Sequence, residues 1–99
     1  MQVIIKKSPR KDKKLEAIVD GKKTVPFGAT GYSDYTLHTN PERKQRYIDR
    51  HKNNEDWGRS GIASAGFYSR WVLWNKPSIS SSIQDLNKKY KDIIFKYIS

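Results

Sequence analysis

The stretch AGFYSRWVLWNKP, residues 65–77, puts Phe67, Tyr68, Trp71 and Trp74 close together in a chain that has no cysteine. Together these two facts limit where a core can come from. Disulfides, thiol catalysis and thiolate metal sites are excluded. A chain of 99 residues also hides only about 60–65% of its unfolded surface. Hydrophobic residues make up 35% of it and aromatics 12%, so a few large rings must supply much of the buried area. On a helix spanning about 64–75, Phe67, Trp71 and Trp74 fall at i, i+4 and i+7 along one line, with Tyr68 and Val72 beside it. A base-stacking platform would separate its rings with Lys or Arg. Here only Arg70 intervenes, so these four aromatics read as structural core.

The first thirty residues read as a basic antiparallel meander. Val3–Ile5, Leu15–Val19 and the run KTVPF are three β-prone segments. SPRKDKK is a polar turn, and Asp20-Gly21 is a two-residue hairpin signal, since a type I′ turn needs positive φ at both central positions. Pro26 cannot donate to a sheet ladder, so the third strand should be short or lie at an edge. GATGYSDYTLHTN reads as a linker. Asn40-Pro41-Glu42 then opens a polar surface helix over about 41–52, whose apolar edge is Tyr47, Ile48 and His51. After the aromatic helix, which Pro77 ends, Ser81 and Gln84 offer a capping box. An amphipathic last helix is expected to run to near the end. Its apolar stripe, Ile79, Ile83, Leu86, Tyr90, Ile93 or Ile94, and Tyr97, recurs at spacings of three and four. The expectation is one α+β domain over 1–99, a three-stranded meander in 1–30 followed by a linker and three helices in 31–99.

Twenty Lys and Arg against ten Asp and Glu give a formal charge of +10. Residues 1–30 hold eight bases and three acids (+5), 31–59 six and five (+1), and 60–99 six and two (+4). Such an excess favours an anionic partner: DNA or RNA, an anionic membrane surface or an acidic protein. Lys6, Lys7, Arg10, Lys11, Lys13, Lys14, Lys22 and Lys23 surround two turns and form a phosphate-binding patch if they share a face. A solvated fringe that protects sheet edges is the alternative. Ile83, Leu86, Tyr90, Ile94 and Tyr97 are the candidate partner or core face of the last helix.

Catalytic signals are weak. His38 and His51 lie near Asp34, Asp49, Glu55 and Asp56, which raises a metal-dependent nuclease, but the spacing fits no metal or catalytic motif. No phosphate-loop spacing occurs, and the first sheet has too few rings for an RRM-like or OB-like reader. No cofactor, metal or small-molecule substrate is expected. The start MQVIIKKSPRK does not read as a signal peptide, and no apolar run approaches the roughly 18 residues of a membrane span.

GYSDYT, H-x-x-PERKxRYIxRH, EDW and AGFYSRWxLWNKP-x-x-x-x-SI, spread from Gly31 to about Asn87, resemble a small protein family of large double-stranded DNA viruses of protists and algae. Lys88–Ser99 matches poorly. The resemblance carries no catalytic residues. It implies a non-enzymatic virion component, such as a minor capsid protein or capsid–genome linker, contacting other virion proteins. Its location would be the virion, or otherwise the cytoplasm or nucleus of the infected cell. A sequence-nonspecific nucleic-acid-binding protein is the other reading.

Overall fold

The computed structural model describes residues 1–98. It has an α+β architecture in which one four-stranded mixed sheet carries helices on one face. The strands are β1 (Gln2–Lys7), β2 (Lys13–Val19), β3 (Lys23–Ala29) and β4 (Ile94–Ile98), in the order β3-β2-β1-β4. The helices are α1 (Tyr35–His38), α2 (Pro41–His51), α3 (Ala65–Tyr68, continuing as a π-helical segment Ser69–Leu73) and α4 (Ile79–Lys89).

The meander forms as its residues dictate. At the β2–β3 turn Asp20 and Gly21 have φ of 52° and 66°, and Lys22 N–H donates to Val19 O at 3.0 Å. The Asp20 carboxylate accepts from Gln2 N–H at 2.8 Å and ties that turn to the start of β1. β3 is an edge, with Pro26 opposite Glu16. Gly28 has φ of +77°, and a Cβ there would come within 2.7 Å of Leu73 Cδ1, so glycine lets β3 lie directly against the segment that follows α3.

The C-terminus departs from the expected long helix. α4 stops at Lys89, and Ile94–Ile98 form β4, parallel to β1 with Val3 opposite Phe95 and Ile5 opposite Tyr97. Two physical reasons are legible. β1 needs a partner on its free edge, and Ile94, Phe95, Tyr97 and Ile98 are β-branched or aromatic. The proposed single helical stripe therefore splits. Ile83 and Leu86 on α4 are buried, Tyr90 caps α4 and is half-buried, Ile93 and Phe95 face the core, Tyr97 is half-buried, and Ile94 is 58% exposed.

Two further expectations change. The segment read as a linker contains the short α1. The α4 capping box is Ser78 with Ser81, not Ser81 with Gln84. Ser81 N–H donates to Ser78 Oγ, and Ser78 N–H to Ser81 Oγ, at 3.1 and 3.3 Å.

One core cluster joins the inner face of the sheet to the helices. Val3, Ile5, Ala17 and Phe27 from the strands meet Phe67, Tyr68 and Val72, all fully buried, with Leu86 of α4. Phe27 and Tyr68 lie 5.6 Å apart between ring centroids, and Phe67 and Tyr68 5.0 Å in an edge-on contact. The straight line Phe67–Trp71–Trp74 expected of an α-helix is broken by the π segment, where Trp74 N–H donates to Ser69 O. That turn sends Val72 and Leu73 inward and leaves Trp71 and Trp74 half-buried at the margins. The opposite face of the sheet stays open, with Ile98 as well as Ile94 more than half exposed.

Asn87 anchors β4 from the helix side. Its amide donates to Phe95 O at 3.0 Å and accepts from Phe95 N–H at 2.8 Å, supplying both ladder partners that an edge strand lacks. Asn87→Ala should cost about 1 kcal/mol, or a fall in Tm of roughly 4–8 °C for a domain of this size. Hydrogen exchange should place the loss in β4, with Phe95 N–H exchanging fastest relative to the native protein.

Candidate functional site

The described residues enclose a cleft of about 470 Å³ between the β2/β3 end of the sheet, α2 and α3. Its formation starts at Asn40, whose side chain accepts from Glu42 N–H and Arg43 N–H at 2.9 and 3.3 Å and so fixes the first turn of α2. From there Arg43, Arg46 and Arg50 fall at i, i+3 and i+7, on the same side as Tyr47. All three arginines and Tyr47 line the cleft. The arginines are exposed, and none has a carboxylate within salt-bridge distance among the described residues.

Aromatic packing holds this helix in place. The Tyr47 ring stacks on Trp74 with centroids 4.4 Å apart and planes 2° from parallel. Trp57 lies on Tyr47 at 6.2 Å, His51 at 4.5 Å, and His38 packs on Trp74 at 5.3 Å. Burial, and behind it the Glu55 charge, pushes the Tyr47 phenol up to about 12 against an opposing effect of Arg70. Lys44 is the second tether of α2, since its ammonium donates to Asn75 O at 2.6 Å and lies 4.9 Å over the Tyr35 ring. Arg70, half-buried, donates to Trp74 O at 2.7 Å and stacks over Trp71 at 4.4 Å, and burial lowers its pKa.

The opposite wall comes from the sheet and the segment before α1. Asp34 is 2% exposed. It caps α1 by accepting from Thr36 N–H at 2.9 Å, and its other oxygen accepts from Lys14 Nζ at 2.6 Å. Lys14 also donates to Tyr32 O. That pair neutralises itself. The remaining charges of the cleft are Lys13, Arg43, Arg46 and Arg50 against Glu55, whose carboxylate occupies space that Gly66 leaves free. A concave surface with this balance attracts anions, and guanidinium forks match phosphate oxygens.

The eight hairpin bases do not form one patch. The two turns of a meander lie at opposite ends of β2, roughly 20 Å apart for its seven residues. Arg10 and Lys11 sit at one end, where Arg10 pairs with Asp12 at 3.2 Å; Lys22 and Lys23 sit at the other. Lys6 lies 3.8 Å from Glu16 on the open sheet face, and Lys7, next along β1, is exposed. Only Lys13 and Lys14 reach the cleft. The arginines that do line it were legible as a spacing of three and four on a helix opened by Asn40-Pro41, a pattern that reads equally as a solvated polar face.

His38 and His51 support the aromatic stack, and no three His, Asp or Glu side chains gather around a common point among the described residues. No helix among the described residues is long and apolar enough to cross a membrane.

Burial, reinforced by Arg43, holds the His38 imidazole below its ordinary value, and Asn40 N–H donates to its Nδ1 at 2.9 Å. A depressed histidine pKa means that the unfolded chain binds the proton first. This contribution to stability is therefore complete above about pH 6.5 and is lost as pH falls through the folded value. Thermal melting at stepped pH should show a loss on acidification that is smaller in His38→Gln.

Residues 3–51 match the model of a family described as a family of unknown function, DUF5754. No curated protein matches the chain, and no solved structure matches it. The matched segment runs from β1 to the end of α2, so over both cleft walls that carry Lys13, Lys14, Tyr32, Arg43, Arg46 and Arg50 the chain is similar to that family.

Proposed function

We propose that this protein is a non-enzymatic, sequence-nonspecific nucleic-acid-binding protein that holds the phosphate backbone in the cleft beneath α2. The observation that carries this reading is the convergence of Arg43, Arg46 and Arg50, none salt-bridged among the described residues, on one concave surface beside Lys13. Backbone binding needs several cations at fixed spacing and little else. The cleft offers one histidine, His51, and its ring is packed on Tyr47, which favours binding over catalysis. The overall charge of +10 adds long-range attraction for a polyanion.

A virion role, as a minor capsid protein or a link between capsid and genome, is compatible with this activity and rests on the sequence resemblance alone. The open sheet face, with Ile94 and Ile98 exposed, is the surface that favours contact with neighbouring virion proteins. Detection of the protein in purified particles is the test of that placement.

Replacing Arg43, Arg46 and Arg50 together with Gln should weaken binding to a single-stranded oligonucleotide roughly tenfold or more at low salt. It should also reduce the slope of log K against log salt by about 2, since each single-strand phosphate contact contributes about 0.7. Lys22→Gln with Lys23→Gln, at the far end of the sheet, should change affinity less than the cleft variant. Fluorescence anisotropy over a salt series measures both. An unchanged slope in the arginine variant would remove the cleft from the account.

A further inference from the structure

The rings of the cleft are not equally available. Tyr47 is buried, stacked with Trp74 and in contact with Trp57 and His51, and Trp74 packs in turn against His38. Their faces are spent on holding α2 to α3. Tyr32 differs. It lines the same cleft and is 75% exposed, and no aromatic or cationic side chain stacks on it among the described residues. Its main chain is nevertheless fixed, because Lys14 donates to Tyr32 O and Lys14 is itself held by Asp34 at 2.6 Å. A free ring on a pinned backbone loses little freedom when something stacks on it.

We propose that the cleft takes a nucleotide of a single strand, with its phosphate on Arg43, Arg46 and Arg50 and its base laid on the ring of Tyr32. This rests on the nucleic-acid-binding reading above and adds the form of the ligand. The volume of about 470 Å³ is within the range of small-ligand sites and suits one nucleotide. In a duplex the bases are stacked on one another and offer Tyr32 no ring face, whereas an unpaired base does. Stacking is indifferent to base identity, so the site discriminates strandedness and not sequence. DNA and RNA share this chemistry.

The test is fluorescence anisotropy at about 20 mM salt with labelled oligo-dT, oligo-U and a blunt DNA duplex of equal length, on the whole chain. A single strand should bind at least tenfold more tightly than the duplex. Tyr32→Ala should weaken single-strand binding by about 5- to 100-fold with the salt slope retained, and Tyr32→Phe should restore it. Because the ring is exposed, the melting temperature of both variants should match the native protein. Equal affinity for single strand and duplex, or no effect of Tyr32→Ala, overturns the stacking site and leaves backbone binding standing. Failure of every oligonucleotide to bind overturns both.

Discussion

The face-to-face stack of Tyr47 on Trp74 is the joint on which the site depends. α2 is otherwise polar, and its only buried residue is Tyr47. A helix with one buried side chain has no apolar stripe to seat it. The ring pair, worth about 0.5–1.5 kcal/mol beyond its buried area, sets the orientation that turns Arg43, Arg46 and Arg50 toward the sheet. Lys44 on Asn75 O and His38 on Trp74 fix the same orientation from two other directions. The aromatic richness of this small chain thus serves two ends. Phe67, Tyr68 and Phe27 fill the core, while Trp57, Trp74 and Tyr47 hold a basic helix at its rim.

The same division explains the position of the cleft. β4 joins β1 at the edge remote from β3, completing the sheet with residues from the end of the chain. α3 and α4 then close the inner face, and α2 remains near the β2/β3 end, where Gly28 permits close approach to Leu73. The space left between that end and α2 is the cleft. Among the described residues only Glu55 opposes the positive lining once Asp34 is paired with Lys14. Asp12, Asp34 and Asp92 pair with Arg10, Lys14 and Arg59, and none of the α2 arginines is salt-bridged among the described residues.

Much of the architecture could be read from local chemistry. Asp20-Gly21, Pro26 and Asn40-Pro41 each act through backbone geometry over a few residues, and each signals its element correctly. The C-terminal strand could not be read in this way. Ile93, Ile94 and Tyr97 fit both a helical stripe and an alternating strand, and the free edge of β1, far away in sequence, decides between them. The π segment after α3 was hidden for a related reason, because the register of Trp71 and Trp74 is set by what Val72 and Leu73 pack against. The site was legible only in part. Lysine density drew attention to the hairpin, but a meander separates its own turns. Arg43, Arg46 and Arg50 stood out as a face only once the Tyr47–Trp74 stack showed which way α2 is turned. Tyr32 is not distinguished from the rest of GYSDYT in the sequence, since the Lys14 and Asp34 contacts that pin its backbone arise only in the fold.

The most direct measurement is a ¹H–¹⁵N NMR titration of the protein with a short single-stranded oligonucleotide. The account predicts shifts concentrated at Tyr32, Arg43, Arg46, Tyr47 and Arg50 and at the indole N–H of Trp74. Shifts confined to the turns around Arg10–Lys11 and Lys22–Lys23, with the cleft residues unmoved, would contradict it.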